Sequence, residues 1–567
     1  MAWPRPSAGV GGIHTSSLVS SRPRSAYGRL AHVSDAGNLA DLVVRAARES
    51  PDRVALVEAG TGRRTTWAEL DAEVDRVAGG LAAMGLVAGY RVVIVVGNRL
   101  EFVTTYLGAL RARLVAVPVN PRAATGELVR MVADCGARVV VGDATTITSV
   151  RAAVAGLQDA LEGAEEELRS RTPVPRIVVC GALPVPGETA YADLVARGEP
   201  PAAVAAATDP ESLAVLLYTS GTSGRPRAAM LSHRALLANV EQASAVEPPM
   251  VRPDDSVLGV LPLFHVYGLN AVLGQVLRQR ARLVLVASFD VEGSLDVVED
   301  EAVTVVPVAP PVLAYWMGVD DLRRRLDGVR VALSGSAPLS PELVDAFVRR
   351  TGVPVHQGYG LTEASPVVTS TLCSGTVKPG SVGSALPGIE IRLVDDHGHA
   401  PDGEDPGEIL VRGANLFSGY WPDGADGPDA DGWWPTGDVG FLDGDGDLFL
   451  VDRLKELVIV SGFNVYPSEV EDVVAEVEGV AEVAVIGVDD PHTGEAVVAY
   501  VKPVRGTMLS PDQLADRVRE HCAARLARFK QPGAVKVVDD LPHTVTGKVA
   551  KGRLRATERR RALGLLE

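Results

Sequence analysis

The most chemically pointed stretch of the chain is Tyr218-Thr-Ser-Gly-Thr-Ser-Gly-Arg-Pro-Arg227. Thr219, Ser220, Thr222 and Ser223 supply hydroxyl groups. Gly221 and Gly224 leave backbone N–H groups open to an anion with no Cβ in the way. Arg225 and Arg227 add positive charge. Such a loop suits the β- and γ-phosphates of ATP. The residue order differs from G-x-x-x-x-G-K-[ST], so P-loop mechanics are not expected. A solvated Gly/Ser linker has a similar composition, but it seldom lies between a buried strand (Leu213–Leu217) and a helical segment (Ser232–Ser244).

A loop of this kind needs a rigid frame. Short β-branched runs, among them Arg91–Val96, Arg138–Val141, Arg282–Val286, Thr304–Val308 and Val329–Leu333, alternate with amphipathic segments such as Leu70–Met84 and Pro341–Arg350. That alternation predicts an α/β domain with parallel or mixed sheets. From about Gly383 the pattern changes to strands joined by Asp/Gly/Pro turns (Ile389–Val394, Gly407–Arg412, Leu448–Asp452), predicting a distorted β-barrel or hairpin module. Gly440–Asp447 faintly resembles a calcium loop, but it lacks Gly at the sixth position and a closing Glu, so it reads as a hairpin turn. After Asp452 a compact α+β unit begins, large enough to be a small mobile C-terminal domain. The expected division is a poorly ordered extension over 1–34, a large domain over 35–452 and a small domain over 453–567.

Composition bounds the function. The chain has 567 residues, 46% of them apolar, and a formal charge of −17. That balance argues against a general nucleic-acid or anionic-membrane surface, yet leaves room for local cationic loops. Four scattered cysteines without a C-x-x-C pair argue against a disulfide framework or zinc site and fit a cytoplasmic setting. Val257–Leu277 has the length of a membrane span, but Pro262, His265, Asn270 and Gln275 within it favour a buried strand–turn–helix. No transmembrane segment is expected, and the chain reads as a monomer or homodimer.

The loop at 218–227 closely resembles the phosphate loop of the adenylate-forming superfamily, which includes acyl-CoA synthetases, adenylation domains and luciferases. Further segments follow in that family's order, and the resemblance spans roughly residues 35 to 555. Leu261-Pro-Leu-Phe-His-Val-Tyr-Gly268 is similar to the floor of the acyl site, with His265 at the position that stacks near the carboxylate and swings between half-reactions. Ser334-Gly-Ser-Ala-Pro338 resembles the segment edging adenine, through Gly335, Ser336 and Ala337. Gln357-Gly-Tyr-Gly-Leu-Thr-Glu363 matches the most diagnostic motif. The resemblance implies that Gln357, Gly358 and Gly360 line the nucleotide, Tyr359 stacks on adenine, Thr362 donates to the α-phosphate and Glu363 holds Mg²⁺, with Thr219 as a further oxygen ligand.

Trp434-Pro-Thr-Gly-Asp438 is similar to the segment whose aspartate, here Asp438, chelates the ribose hydroxyls. Asp452-Arg-Leu-Lys-Glu456 resembles the hinge, with Asp452 absorbing the rotation and Arg453 reaching ribose or phosphate. Ser461, Gly462 and Phe463 fall in the loop lining the CoA channel. Leu541-Pro-His-Thr-Val-Thr-Gly-Lys548 resembles the terminal motif, in which Lys548 bridges the substrate carboxylate and the α-phosphate. Lys551 and Arg553 read as surface charges. His265, Val266, Leu269, Val308, Gly335, Gln357 and Gly358 are the expected acyl-pocket residues; their apolar or small character points to an aliphatic or aryl acid.

The implied activity is ATP-dependent adenylation of a carboxylic acid, followed by acyl transfer to CoA. The loop around 452–471 resembles that of bacterial medium- and long-chain fatty-acid ligases. One departure is plain: the family's loop usually ends Pro-Lys-Gly, whereas this one ends Pro226-Arg227-Ala228. A nucleotide-binding homologue without turnover, an acyl-AMP ligase that loads a carrier protein, and an aryl-CoA ligase are the competing readings.

Overall fold

The protein is described by a computed structural model over residues 37–157, 172–199, 208–219, 227–337, 339–395, 397–401, 403, 405–453, 456–460, 463–490, 493–544 and 547–562. The expected extension at 1–34, the loop residues Ser220 to Pro226, and Ser461 and Gly462 lie outside the described residues.

Two large sheets form the N-terminal part. In the seven-stranded sheet, Arg91–Val95 lies between Val139–Asp143 and Val115–Pro118, and Leu213–Thr219 follows beyond the latter. These inner strands are parallel and buried, as their unbroken Val/Ile/Leu runs require. Arg227–Ser232 closes one edge, antiparallel to Leu213–Thr219. The nine-stranded sheet carries Ser256–Gly259, Val305–Val308, Val331–Ser334 and Val355–Gly360 as parallel neighbours. Val367–Ser370 then runs antiparallel beside the last of them. The apparent span Val257–Leu277 is a strand, a turn and a helical segment that begins as a π-helix over Tyr267–Gly274. No described helix is long and apolar enough to cross a membrane.

The β-rich module takes the form of a four-stranded antiparallel meander: Ile389–Val394, Gly407–Gly413, Trp433–Leu442 and Leu448–Arg453. Its last turn, Asp443–Asp447, gathers three carboxylates. The Lys378 ammonium sits there, 2.5 Å from Asp443, 2.7 Å from Asp445 and 3.3 Å from Asp447.

The C-terminal unit has its own five-stranded sheet, in which Val480–Asp490 pairs along Gly494–Pro503 and Ala534–Val537 joins parallel to the latter. The helix Pro511–Arg525 starts where its residues dictate. Pro511 fits the first turn, and Ser510 and Gln513 cap each other reciprocally. A separate apolar cluster, including Val470, Val485, Ala499, Val501, Leu514 and Val518, closes this unit. Lys551 is not a surface charge. It is largely buried and pairs with Glu471 at 2.9 Å and Glu456 at 3.2 Å, because two carboxylates beside the start of its helix need a cation.

Candidate active site

The site is assembled from strand ends. Thr219 ends one strand and Arg227 begins the next, and the two residues face each other in register. The Thr219 hydroxyl donates to the Arg227 carbonyl at 3.3 Å. Ser334 closes its strand, and Gly335, Ser336 and Ala337 follow in the loop beyond it. Ser336 has φ +75°, a left-handed backbone that a non-glycine residue rarely adopts. Such strain is characteristic of ligand-clamping segments. The buried Ser334 hydroxyl just before it has no hydrogen-bond partner among the described residues.

Gln357, Gly358, Tyr359 and Gly360 occupy the end of Val355–Gly360, and Thr362, Glu363 and Ala364 form a single 3₁₀ turn directly after it. The C-terminal ends of parallel strands are where open α/β sheets bind ligands. Tyr359 donates its hydroxyl to Asp438 Oδ2 at 2.6 Å, so the expected adenine and ribose residues hold one another. Asp438 is buried, and its backbone N–H is fixed by the Thr436 hydroxyl at 3.1 Å. Arg453 lies opposite Asp438 in the antiparallel ladder, and Asp452 lies opposite Val439. The expected hinge therefore begins beside the expected ribose site. Phe463 starts a short strand, Phe463–Val465, paired with Val458–Val460.

Glu363 is buried, and its Oε1 accepts the Tyr420 hydroxyl at 2.6 Å. Burial, and after it the Glu363 charge, pushes the Tyr420 phenol well above its ordinary pKa and keeps it a donor. A carboxylate oxygen and the Thr219 hydroxyl are hard donors, so the residues fit Mg²⁺.

His265 lies in the turn before the π-helix. Its Nδ1 accepts the Tyr267 N–H at 3.3 Å, which assigns the ring proton to Nε2. Burial, with the Lys548 charge adding to it, pushes the pKa down to about 4, so the ring is neutral at physiological pH. Lys548, from the other end of the chain, therefore acts electrostatically on the floor of the expected acyl site. Its backbone is held by reciprocal bonds with Thr544, at 2.7 and 3.1 Å.

Three expected pocket residues are placed otherwise. Val266, Leu269 and Val308 are buried in the two hydrophobic clusters and expose 2% or less, so they are packed core and form no open wall. The helical turn that presents His265 directs its apolar neighbours inward. Tyr267, two residues after His265, packs beside Gly335, and its hydroxyl donates to the Leu333 carbonyl at 3.0 Å. A Cβ on Gly335 would come within 3.2 Å of its ring, so a side chain there would push the ring aside by a few tenths of an ångström. Tyr267 falls within the quoted segment Leu261–Gly268, whereas Tyr420 has no spacing pattern that marks it in the sequence; only its tertiary contacts do.

Residues 43–421 match the family of AMP-binding enzymes, and residues 469–548 match the C-terminal domain of AMP-binding enzymes. The chain belongs to the AMP-binding enzyme family. Among its relatives, 4-coumarate–CoA ligase 5 of Oryza sativa is 34% identical, covering 91% of this chain and 94% of the relative. The long-chain-fatty-acid–CoA ligase of Bacillus subtilis is 30% identical, covering 91% and 94%. The ATP-bound structure of MatB from Rhodopseudomonas palustris is 32% identical with a TM-score of 0.81, covering 92% of this chain and 99% of that one. This AMP-binding enzyme is an ATP-dependent acid–thiol ligase that forms AMP, an acyl- or aryl-CoA ligase.

Proposed function

We propose that this ligase activates an apolar carboxylic acid, in the first place a medium- or long-chain fatty acid, and passes the acyl group to CoA. The observation that carries the reading is the approach of the Lys548 loop to the large unit: a Cβ on Gly547 would lie 2.8 Å from Pro311, and the Lys548 charge adds to burial in lowering the pKa of His265. It couples a cation of the C-terminal unit to a neutral imidazole at the acyl floor, where the chain neighbours Phe264, Val266 and Tyr267 are apolar or aromatic.

In the first half-reaction the acid's carboxylate attacks the α-phosphorus of ATP, an acyl–phosphate anhydride forms, and pyrophosphate leaves. The carboxylate is already ionised, so no general base is needed. Negative charge spreads over the phosphate oxygens, and Lys548 and the Thr362 hydroxyl stabilise it. The hydroxyls of the phosphate loop restrain the leaving pyrophosphate. Tyr359 and Asp438 hold the adenosine. Glu363, with Thr219, would hold Mg²⁺, which neutralises phosphate charge when bound.

In the second half-reaction the CoA thiolate attacks the acyl carbonyl and AMP departs. Lys548 stands in the way of that approach, so the C-terminal unit turns about Asp452 and brings Ser461, Gly462 and Phe463 to line the thiol's path. The four cysteines are free, in keeping with a reduced, cytoplasmic setting.

A second reading, an aryl acid, is favoured by the Tyr267 ring against Gly335, since a flat wall suits an aromatic ring. The names of the relatives support both classes: one carries 4-coumarate, another long-chain fatty acids. Offering ATP, Mg²⁺ and CoA with straight-chain acids of graded length beside 4-coumarate and other aryl acids separates them. The fatty-acid reading expects kcat/KM to rise with chain length and exceed every aryl acid. A preference for an aryl acid would replace it.

A further inference from the structure

Arg227 stands where the family's phosphate loop ordinarily has lysine, and its surroundings give the guanidinium a use of its own. Its plane lies over the Tyr420 ring, 3.8 Å from the centroid, and its Nη2 donates to Asp426 Oδ2 at 2.7 Å. A lysine ammonium is a point charge and could not stack and fork at once. The Tyr420 ring also meets Phe417 edge-on, with centroids 5.0 Å apart. The backbone is equally fixed. Trp421 N–H donates to the Ala228 carbonyl at 2.9 Å, Met230 N–H to Gly419 at 3.0 Å, and Ser418 N–H to Met230 at 2.9 Å. The segment 418–421 is thus laid along the strand that leaves the phosphate loop.

From that clamp the Tyr420 hydroxyl reaches Glu363 Oε1 at 2.6 Å, within the range of a charge-assisted O–H···O⁻ bond. The main chain of Glu363 is tied to the same segment, since Phe417 N–H donates to its carbonyl at 2.9 Å. We propose that Arg227 and Tyr420 are a positioning pair: the guanidinium holds the tyrosine ring, and the tyrosine hydroxyl holds the Glu363 carboxylate in one orientation for the cation of MgATP. Neither residue touches the reacting atoms. The pair links the exit of the phosphate loop to the metal-holding carboxylate, so the arginine that departs from the family pattern is a working part of this site. The inference rests on the proposed role of Glu363.

The test is equilibrium binding of ATP by calorimetry, with Mg²⁺ and with EDTA, to the full chain and to Tyr420→Phe, Glu363→Gln, Arg227→Lys and the Tyr420→Phe/Arg227→Lys double variant. Tyr420→Phe keeps the ring and its packing and loses only the hydroxyl. It should weaken MgATP by about tenfold, as loss of an outer-shell partner does, and leave metal-free ATP unchanged. Arg227→Lys should weaken MgATP in the wild-type background and add little in the Tyr420→Phe background, because both act through one carboxylate. Equal loss of both ATP forms in Tyr420→Phe, no loss of either, or additive effects in the double variant would overturn the pair. If Glu363→Gln keeps the wild-type magnesium preference, the role of Glu363 itself falls and the inference with it. If Glu363→Gln loses the preference while Tyr420→Phe keeps it, only the pair falls.

Discussion

A Cβ built on Gly547 would lie 2.8 Å from Cγ of Pro311. Gly547 belongs to the loop that carries Lys548, and Pro311 lies in the first turn of the helix Pro310–Trp316 of the large unit. The contact docks the C-terminal loop on the large unit in the arrangement in which the Lys548 charge bears on His265. Gly547 also has φ +82°, a backbone that costs a non-glycine residue about 1–2 kcal/mol.

Gly547→Ala should therefore lose the docked arrangement selectively. ATP–pyrophosphate exchange, which reads adenylation, is expected to fall at least about tenfold, corresponding to the steric and backbone penalties together. Thioester formation from supplied acyl-AMP and CoA should stay close to wild type. Equal loss in both assays would show that the contact is not specific to the first half-reaction.

The bond from Tyr359 to Asp438 makes a separate prediction. Hydrogen bonds to a charged group are worth about 1.5–3 kcal/mol each. Asp438→Ala should raise the KM for ATP on the order of 10- to 100-fold and abolish discrimination between ATP and 2′-deoxy-ATP. Tyr359→Phe should keep the discrimination with a smaller rise in KM. An Asp438→Ala enzyme that still distinguishes the two nucleotides would remove Asp438 from the ribose.

Much of the site was legible in the chain because its parts are local. The phosphate loop suggests its chemistry by residue type, and the strand end Gln357–Gly360 with Glu363 and the Lys548 loop are short runs recognisable by their resemblance to one family. The alternation of strands and helices pointed to the α/β frame for a similar reason, as buried parallel strands must be apolar throughout. What stayed hidden depends on long-range contact. Val308 and Leu269 read as apolar pocket residues, yet helix and strand direction put them in the core. Tyr420 reaches Glu363 across 57 positions, and Lys551 finds Glu471 across a domain. Charge type alone could not tell Lys551 from the exposed basic residues around it.

Acid should destabilise the fold through its buried histidines. Burial pushes the pKa of His233 down to about 4, and its Nδ1 accepts the Leu39 N–H at 3.2 Å. His265 is likewise lowered to about 4. Both fold as neutral rings, so between about pH 6.5 and 4 the unfolded chain binds protons that the folded chain refuses. The stability they lend is present above pH ~6.5 and is lost as pH falls towards ~4. For His233 this amounts to about 2 kcal/mol between pH 6.5 and 5. The urea midpoint of the wild type should therefore drop from pH 7 to pH 5. His233→Asn, which keeps an acceptor for Leu39, should show a smaller drop. An identical drop in both proteins would mean that His233 titrates alike in the folded and unfolded chains.

The most direct measurement of the central claim separates the two half-reactions in Lys548→Ala. The protein is given ATP, Mg²⁺, CoA and its best acid, or else preformed acyl-AMP with CoA, and acyl-AMP and acyl-CoA are followed by mass spectrometry. The account predicts that wild type makes acyl-CoA by both routes. Lys548→Ala should make almost none from ATP and near-normal amounts from acyl-AMP. Undiminished adenylation in Lys548→Ala, or wild-type protein that accumulates acyl-AMP without ever forming the thioester, would contradict it.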